Sequence, residues 1–251
     1  MVRADSTLGE RAMMKPSPFV DIHRLPVEPP CFAVYIDGYN LYYAINHPKP
    51  EDLLRLGWCN YQRLGELLVE KSFACPVEKP MVTVKYFTAE VNQETQGQHK
   101  GEAKRQKMWL DALSREAPKL DIKRGMWSKK AREEKMTDVK IALEIAKDII
   151  DRRPAGIVLV SGDLDFQPVV QHVADAQIPI AVFTPDDHPL YKLEPGKDAS
   201  LARFAYLTQD LMLECHLKSD FLPYLRLKVE AKPEFRECLL YEERKQKPTR
   251  P

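Results

Sequence analysis

An α/β fold with a mostly parallel, doubly wound sheet is predicted for this chain by three features of its 251 residues. Short apolar runs that suit buried strands alternate with stretches of helical periodicity. Two of those runs end abruptly in acid. CFAVYID closes on Asp37, and GIVLV is followed at once by Ser161-Gly162-Asp163-Leu164-Asp165. Strands that alternate with helices pair in parallel, and such sheets carry their ligand crevice at the carboxyl ends of the strands.

The elements follow in order. Residues 1–30 mix Pro, Met and charge without periodicity and are expected to be an arm, flexible or loosely docked. Residues 31–37 form the first strand, and Gly38 turns the chain into NLYYAIN. HPKPEDLLRLGWCN, 47–60, reads as an insertion or lid with a short helical piece. Tyr61, Leu64, Leu67 and Leu68 have helical spacing over 61–71. The second strand spans 81–90, and the polar stretch 91–99 is a loop. A helix from Gly101 to Glu116 turns Met108, Trp109, Leu110, Ala112 and Leu113 inward. Residues 120–127 make a third, half-exposed strand, and SKKAREEK (128–135) a charged loop. The strongest helix covers 136–152: Val139, Leu143, Ala146 and Ile150 make one stripe, widened by Ile141, Ala142, Ile145 and Ile149, and Pro154 ends it. The fourth strand is 155–160, the next helix 165–176 and the fifth strand 178–184. A loop over 185–197 leads to a short helical turn and a sixth strand within 199–208. Residues 211–251 are a C-terminal extension ending in the basic tail EERKQKPTRP. There is no internal repeat.

Composition excludes several classes. No run approaches the roughly 18 apolar residues that span a bilayer, and the N-terminus lacks the apolar segment of a secretory signal. Five cysteines (Cys31, Cys59, Cys75, Cys215, Cys238) without C-x-x-C spacing argue against a disulfide framework or a zinc ribbon. The expected location is therefore a reducing cytoplasm. Net charge is +1, but its distribution is uneven: from Gly97 to Lys135 twelve Lys and Arg stand against six acids. A basic segment opposite acidic clusters is the footprint of a phosphate-binding face near a metal site. A charge run alone is a solvated helix face.

Like charges held close repel and raise one another's pKa unless a cation sits between them. Oxygen ligands suit a hard divalent ion, Mg²⁺ or Mn²⁺. Asp163 and Asp165, two apart after a bend that Gly162 permits, have the spacing to straddle one ion. Asp37 faces them if the first and fourth strands are neighbours. Asp138 starts the helix over 136–152, where an acid in the first turn, or a Thr137 or Asp138 cap, is ordinary. Asp165 likewise suits a cap for the helix after it. Asn40 fits two roles equally: holding phosphate or a metal-bound water, or serving as a turn residue.

VYIDGYNLYYAI (34–45), EEKMTDVKIALEIAKDI (133–149) and IVLVSGDLDFQPVVQHVADAQIPIAVF (157–183) together resemble the NYN domain family, its LabA-like branch in particular, within the PIN-like nuclease superfamily. The likeness covers roughly residues 32–208, and the combination of I-D-G-x-N, K-x-x-D-V and S-G-D-x-D-F carries it. It implies a PIN-like three-layer α/β/α domain over 31–210 and a metal-dependent ribonuclease. Motif by motif, the acidic site falls on Asp37, Asp138, Asp163 and Asp165, with Asn40 and Ser161 as flanking polar members. The family's helix motif usually reads K-G-x-D; here Lys135-Met136-Thr137-Asp138 keeps the base and the acid but lacks the glycine. Gly125, near Trp127, matches the glycine often seen before the basic segment.

On this reading one or two Mg²⁺ or Mn²⁺ ions lie among Asp37, Asp138, Asp163 and Asp165, and an activated water attacks a phosphodiester. Lys135, Lys129, Lys130 and Arg132 neutralise flanking phosphates, and Lys100, Lys104, Arg105 and Lys107 extend the track. Trp127 or Tyr39 stacks a base, or is plain packing. The expected partner is RNA, single-stranded, or single-stranded DNA. No membrane is involved, and the chain is a monomer or a homodimer. The alternative is a regulatory module that binds RNA or protein with little or no catalysis. A phosphatase working through an aspartyl phosphate wants its D-x-D directly after the first strand, where D-G-Y-N stands. A nucleotide-sugar transferase is the remaining D-x-D reading. His99, His172 and His188 show no ligand spacing.

Overall fold

The computed structural model describes residues 30–45, 58–75, 80–89, 102–128, 133–185, 201–217 and the single positions 226, 229, 230, 236 and 240. Its strands are β1 (Cys31–Asp37), β2 (Met81–Ala89), β3 (Asp121–Ser128), β4 (Glu133–Lys135), β5 (Gly156–Val160), β6 (Ile180–Thr184) and β7 (Ala202–Tyr206). The helices are α1 (Gly38–Ile45), α2 (Tyr61–Ser72), α3 (Glu102–Glu116), α4 (Thr137–Asp151), α5 (Gln167–Asp175) and α6 (Gln209–Glu214), with a 3-10 turn at Leu164–Phe166. One sheet holds all seven strands in the order β4-β3-β2-β1-β5-β6-β7. Six of them run parallel, and β4 is antiparallel to β3.

Alternation along β1 sorts its side chains into two cores. Phe32, Val34 and Ile36 face one side, with Leu64 and Leu68 of α2, Leu113 of α3 and Met212 of α6. Ala33 and Tyr35 face the other, with Ile141 and Ile145 of α4 and Val170 and Val173 of α5. The result is the expected three-layer α/β/α arrangement with a mostly parallel sheet. β5 and β6 are buried throughout because helices cover both faces. The helix starts have local causes. Asn60 caps α2, its side-chain oxygen accepting from the Arg63 N–H at 3.0 Å. Pro168 sits in the first turn of α5, where no intrahelical N–H partner is lost.

Several sequence expectations change. The charged stretch 128–135 is not all loop: residues 133–135 pair with β3, Met126 opposite Lys135. The apolar side chosen for the helix over 136–152 is half right: its flank, Ile141 and Ile145, faces the core, but its central stripe does not. Val139, Leu143 and Ile150 are exposed, Ile150 at 82%, while Thr137, Ile141, Ile145 and Asp148 are buried. The helix is apolar on two sides, and the sheet takes the side carrying Asp148 because charged partners wait there. In α3, Leu110, Ala112 and Leu113 are buried and Met108 and Trp109 only half-buried; Trp109 packs edge-on against Tyr86 at 5.5 Å. Pro30 is buried and accepts from the Met81 N–H at 3.1 Å. The arm before it, most of 47–60, the loop 91–99, nearly all of 185–197 and the basic tail lie outside the described residues. Among the described residues, no helix is long and apolar enough to cross a membrane.

The missing glycine of the helix motif leaves a mark. Met136, which precedes α4, adopts φ 72 and ψ 2, the left-handed conformation that glycine takes without cost. Its side chain is half exposed, so little packing offsets the strain. Met136→Gly is therefore expected to stabilise the chain by about 1 kcal/mol, the αL strain less the extra unfolded-state entropy of glycine. Urea unfolding measures this, and a glycine variant less stable than the parent chain refutes it.

Candidate active site

The sheet order puts β1 beside β5, with Ile36 level with Val160. To one side the chain runs outward through β2 and β3, to the other through β6 and β7. The crevice of a doubly wound sheet opens at such a reversal, and here Asp37 and Ser161 are the first residues past the paired strand ends. The chain passes from β1 into α1 without a loop. A Cβ on Gly38 would run into the Tyr86 ring and the Phe87 carbonyl oxygen, so only glycine permits the turn that aims Asp37 and Asn40.

Asp37 is 2% exposed. Its Oδ1 accepts from the Asn40 backbone N–H at 3.0 Å, and its Oδ2 from the Ser161 hydroxyl at 3.0 Å. The Ser161 oxygen in turn accepts from the Asp163 N–H at 3.1 Å, and Asp163 Oδ1 from the Asp165 N–H at 2.9 Å. The Asn40 side-chain oxygen accepts from the Gly162 N–H at 2.8 Å. One hydrogen-bonded chain thus runs from the end of β1 through the turn after β5 to the 3-10 turn. Asn40 acts as a brace between the two turns, Asp163 caps the 3-10 turn, and α5 begins after Phe166 with no side-chain cap, so Asp165 does not cap it. Asp138 stands in the first turn of α4 without capping it.

The acids lie near enough to act on one another's charge. Burial raises the Asp37 pKa from the ordinary 3.8 to about 6; the hydrogen bonds from Asn40 and Ser161 oppose that rise, and Asp138 and Asp163 add to it. Asp138 is likewise raised, first by desolvation and then by Asp163 and Asp165. Asp138 thus links the group, acting on Asp37 and itself raised by Asp163 and Asp165. Among the described residues, no three His, Cys, Asp or Glu side chains form a ready metal cage. The donors nonetheless fit a hard divalent ion, because Mg²⁺ keeps several waters and binds through one or two carboxylates. A carboxylate whose ionised form is penalised by burial and by nearby acids is the group such an ion would relieve.

The basic residues divide. Lys104 and Lys107 are exposed on α3, whereas Arg105 is 7% exposed and does not present its guanidinium to solvent. Arg105 is thus corrected from a phosphate contact to a packed side chain: it falls on the inward side of α3, one residue after Lys104. Lys135 lies on β4, opposite Met126. Lys100, Lys129, Lys130 and Arg132 fall outside the described residues, as do the side chains of Lys135 and Trp127. Tyr39 is half-buried in the first turn of α1. Beside Asp165 an open depression of about 530 Å³ is lined by Leu164, Asp165, Gln167, Pro168 and Gln171.

Sequence reasoning missed a second polar cluster on the same face of the sheet. Lys85 Nζ donates to Asp148 Oδ2 at 2.6 Å and to Glu144 Oε2 at 2.7 Å, and Tyr35 donates to Asp148 Oδ2 at 2.5 Å. Lys85 also lies 5.4 Å from the centre of the Tyr35 ring. Lys123 of β3 reaches Glu144 at 3.9 Å. Two acids one helical turn apart thus tie α4 to β1, β2 and β3, and α4 carries Asp138 at its start. A lysine inside MVTVKYF was the available signal.

No curated protein matches the sequence. A solved structure of a protein of unknown function from Vibrio parahaemolyticus is similar at 14% identity, over 74% of this chain and 98% of that one, with a TM-score of 0.46. The NYN domain family model matches residues 32–194, a span that contains β1 from Phe32 on, β5 and all four acids. That match covers well over half of the 251 residues, and the chain belongs to the NYN domain family.

Proposed function

We propose that this chain is a divalent-metal-dependent ribonuclease that hydrolyses phosphodiester bonds of single-stranded RNA. The observation that carries the reading is the buried Asp37 carboxylate, braced by Asn40 and Ser161 and raised by Asp138 and Asp163, with Asp165 acting on Asp138 in turn. The family's nuclease-type, PIN-like fold supports it. Asp37, Asp138, Asp163 and Asp165 would hold Mg²⁺ or Mn²⁺. When bound, the ion supplies the positive charge that acidifies a water and offsets charge building on the phosphodiester.

The remaining work falls to the chain. Ser161 and the Asn40 N–H each hold one oxygen of Asp37, so the carboxylate cannot swing. The Asn40 side chain fixes the turn that carries Asp163. Four acids in one crevice repel RNA phosphates, so RNA approaches only once their charge is neutralised. Lys104 and Lys107 on α3, with Lys135, Lys129, Lys130 and Arg132, are the proposed contacts to flanking phosphates. The depression beside Asp165 offers space for part of the substrate chain.

The test is cleavage of end-labelled RNA and single-stranded DNA with Mn²⁺, with EDTA, and by Asp163→Asn and Asp165→Asn proteins that circular dichroism shows to be folded. The expected result is Mn²⁺-dependent RNA cleavage, reduced on the order of 100-fold or more in either variant. Full cleavage by the variants ends the carboxylate mechanism. RNA binding in EDTA without turnover in Mn²⁺ assigns the chain to a binding module instead.

A further inference from the structure

Cys59 and Cys215 lie far apart in the chain, yet both are buried and their thiols are near enough to shift one another's acidity. The backbone holds them there from both sides. Cys59 forms an antiparallel bridge with His216, the Asn60 N–H donates to the Cys215 carbonyl at 2.6 Å, and the Leu217 N–H to the Trp58 carbonyl at 2.8 Å. Both cysteines are buried in one core cluster with Trp58, Tyr61, Leu64 and Met212. Their neighbourhood lies across the sheet from α4, which carries Asp138, and the mechanism above makes no use of it. Cys31 and Cys75 are half-buried and have no such thiol neighbour among the described residues.

This pair also sits at a junction. Residues 201–217 lie beyond the stretch matched by the family model. They are held by β7 pairing with β6, by α6 packing in the core through Met212, and by the short ladder to residues 58–60. Two thiols at that ladder stand where a covalent link would fasten the added segment to the start of α2.

We propose that Cys59 and Cys215 are an oxidisable dithiol that hydrogen peroxide converts to an intramolecular disulfide, locking residues 201–217 to the start of α2. The electrons balance in two steps. The Cys215 thiolate attacks one peroxide oxygen, the O–O bond breaks, the departing oxygen leaves as water, and a sulfenic acid forms. The Cys59 sulfur then displaces the hydroxyl from that sulfenic acid, its own proton leaving with the hydroxyl as a second water. Two thiols lose two electrons in all, and one peroxide takes them. The acidities suit this order. Burial, and then the nearness of Cys215, push the Cys59 thiol up, whereas the nearness of Cys59 lowers that of Cys215. The six-residue helix α6 is short enough to open locally and admit peroxide.

The test uses the full chain, reduced and then treated with hydrogen peroxide. Non-reducing peptide mass spectrometry is expected to find Cys59 joined to Cys215, with two fewer titratable thiols. The thermal midpoint rises by about 5 °C or more, and dithiothreitol reverses the rise. Cys59→Ser and Cys215→Ser each remove the link and the reversible shift. Because a serine in this apolar core also destabilises the chain by itself, the dithiothreitol reversal in the unaltered chain is a second, independent measurement. The proposal is overturned if the folded, oxidised chain carries no such link. A Cys215 driven to sulfinic acid without linkage, or links to Cys31, Cys75 or Cys238 in equal yield, overturn it as well.

Discussion

Asp37→Asn loses Mn²⁺-dependent RNA cleavage by on the order of 100-fold or more, and at pH 7.5 without metal it unfolds later than the parent chain. Both effects follow from one buried charge. The amide keeps the shape and the hydrogen bond from Asn40, and Ser161 can turn its hydroxyl to accept from the new NH₂. It no longer carries a charge without its solvent. With a folded pKa near 6 against an ordinary 3.8, the parent chain binds an extra proton between those values when folded. Its stability from this group is therefore greatest below about pH 4 and declines as pH rises, the loss being complete above about pH 6. Two pH units correspond to about 3 kcal/mol. A bound cation offsets that cost, so Mn²⁺ raises the melting temperature of the parent chain more at pH 7.5 than at pH 5. Asp37→Asn flattens both the pH difference and the Mn²⁺ response. Thermal melts at the two pH values, with and without Mn²⁺, measure stability separately from cleavage. A variant that melts earlier than the parent at pH 7.5, or that cleaves at the parent rate, contradicts this account.

Lys85→Met is expected to destabilise the fold by about 3–5 kcal/mol, the largest stability effect foreseen outside the apolar core. Lys85 and Asp148 are both about 4% exposed. Removing the ammonium leaves Asp148 buried with Tyr35 as its close partner, and Glu144 without its shortest contact. Burial by itself would raise the Asp148 pKa, but the hydrogen bonds from Lys85 and Tyr35 outweigh that and hold it below the ordinary value. Glu144 is lowered as well, chiefly by Lys85. The stabilisation from these acids is therefore fully present at neutral pH and is lost as pH falls through their lowered pKa values. Lys85→Met combined with Asp148→Asn should recover much of the loss, because no bare charge then remains inside. Urea unfolding of the two single variants and the double variant decides it. A single-variant cost under about 1 kcal/mol would show that water, not the pair, satisfies this site.

The two kinds of acid mark how far sequence reasoning reached. Asp37, Asp163 and Asp165 stand out in the sequence because each breaks an apolar run at its end, where a parallel sheet opens to ligand. Asp148 does not stand out. In a period-3.6 pattern a charge reads as the wet face of a helix, so the stripe of Val139, Leu143, Ala146 and Ile150 looked like the buried one. The sheet reversed that choice because Lys85 and Tyr35 sit under α4 and make an inward Asp148 favourable. Arg105 was misjudged in the same way: one charged residue among several says nothing of which side a helix turns inward. At Met136 the pattern was right about the acid and silent about the backbone, which takes the glycine conformation without the glycine.

From its own letters the chain determined that strands and helices alternate, that acids follow directly on the ends of β1 and β5, and that Gly38 stands at the first turn. These are local properties, set by side-chain period and by which residues tolerate a tight turn. Only the tertiary structure decided that β1 neighbours β5, that Ser161 and Asn40 join the two acidic turns, that α4 buries its charged side, and that Cys59 meets Cys215. Each of those pairs residues separated by many others, and their energies come from desolvation and partner charge, which no periodicity records.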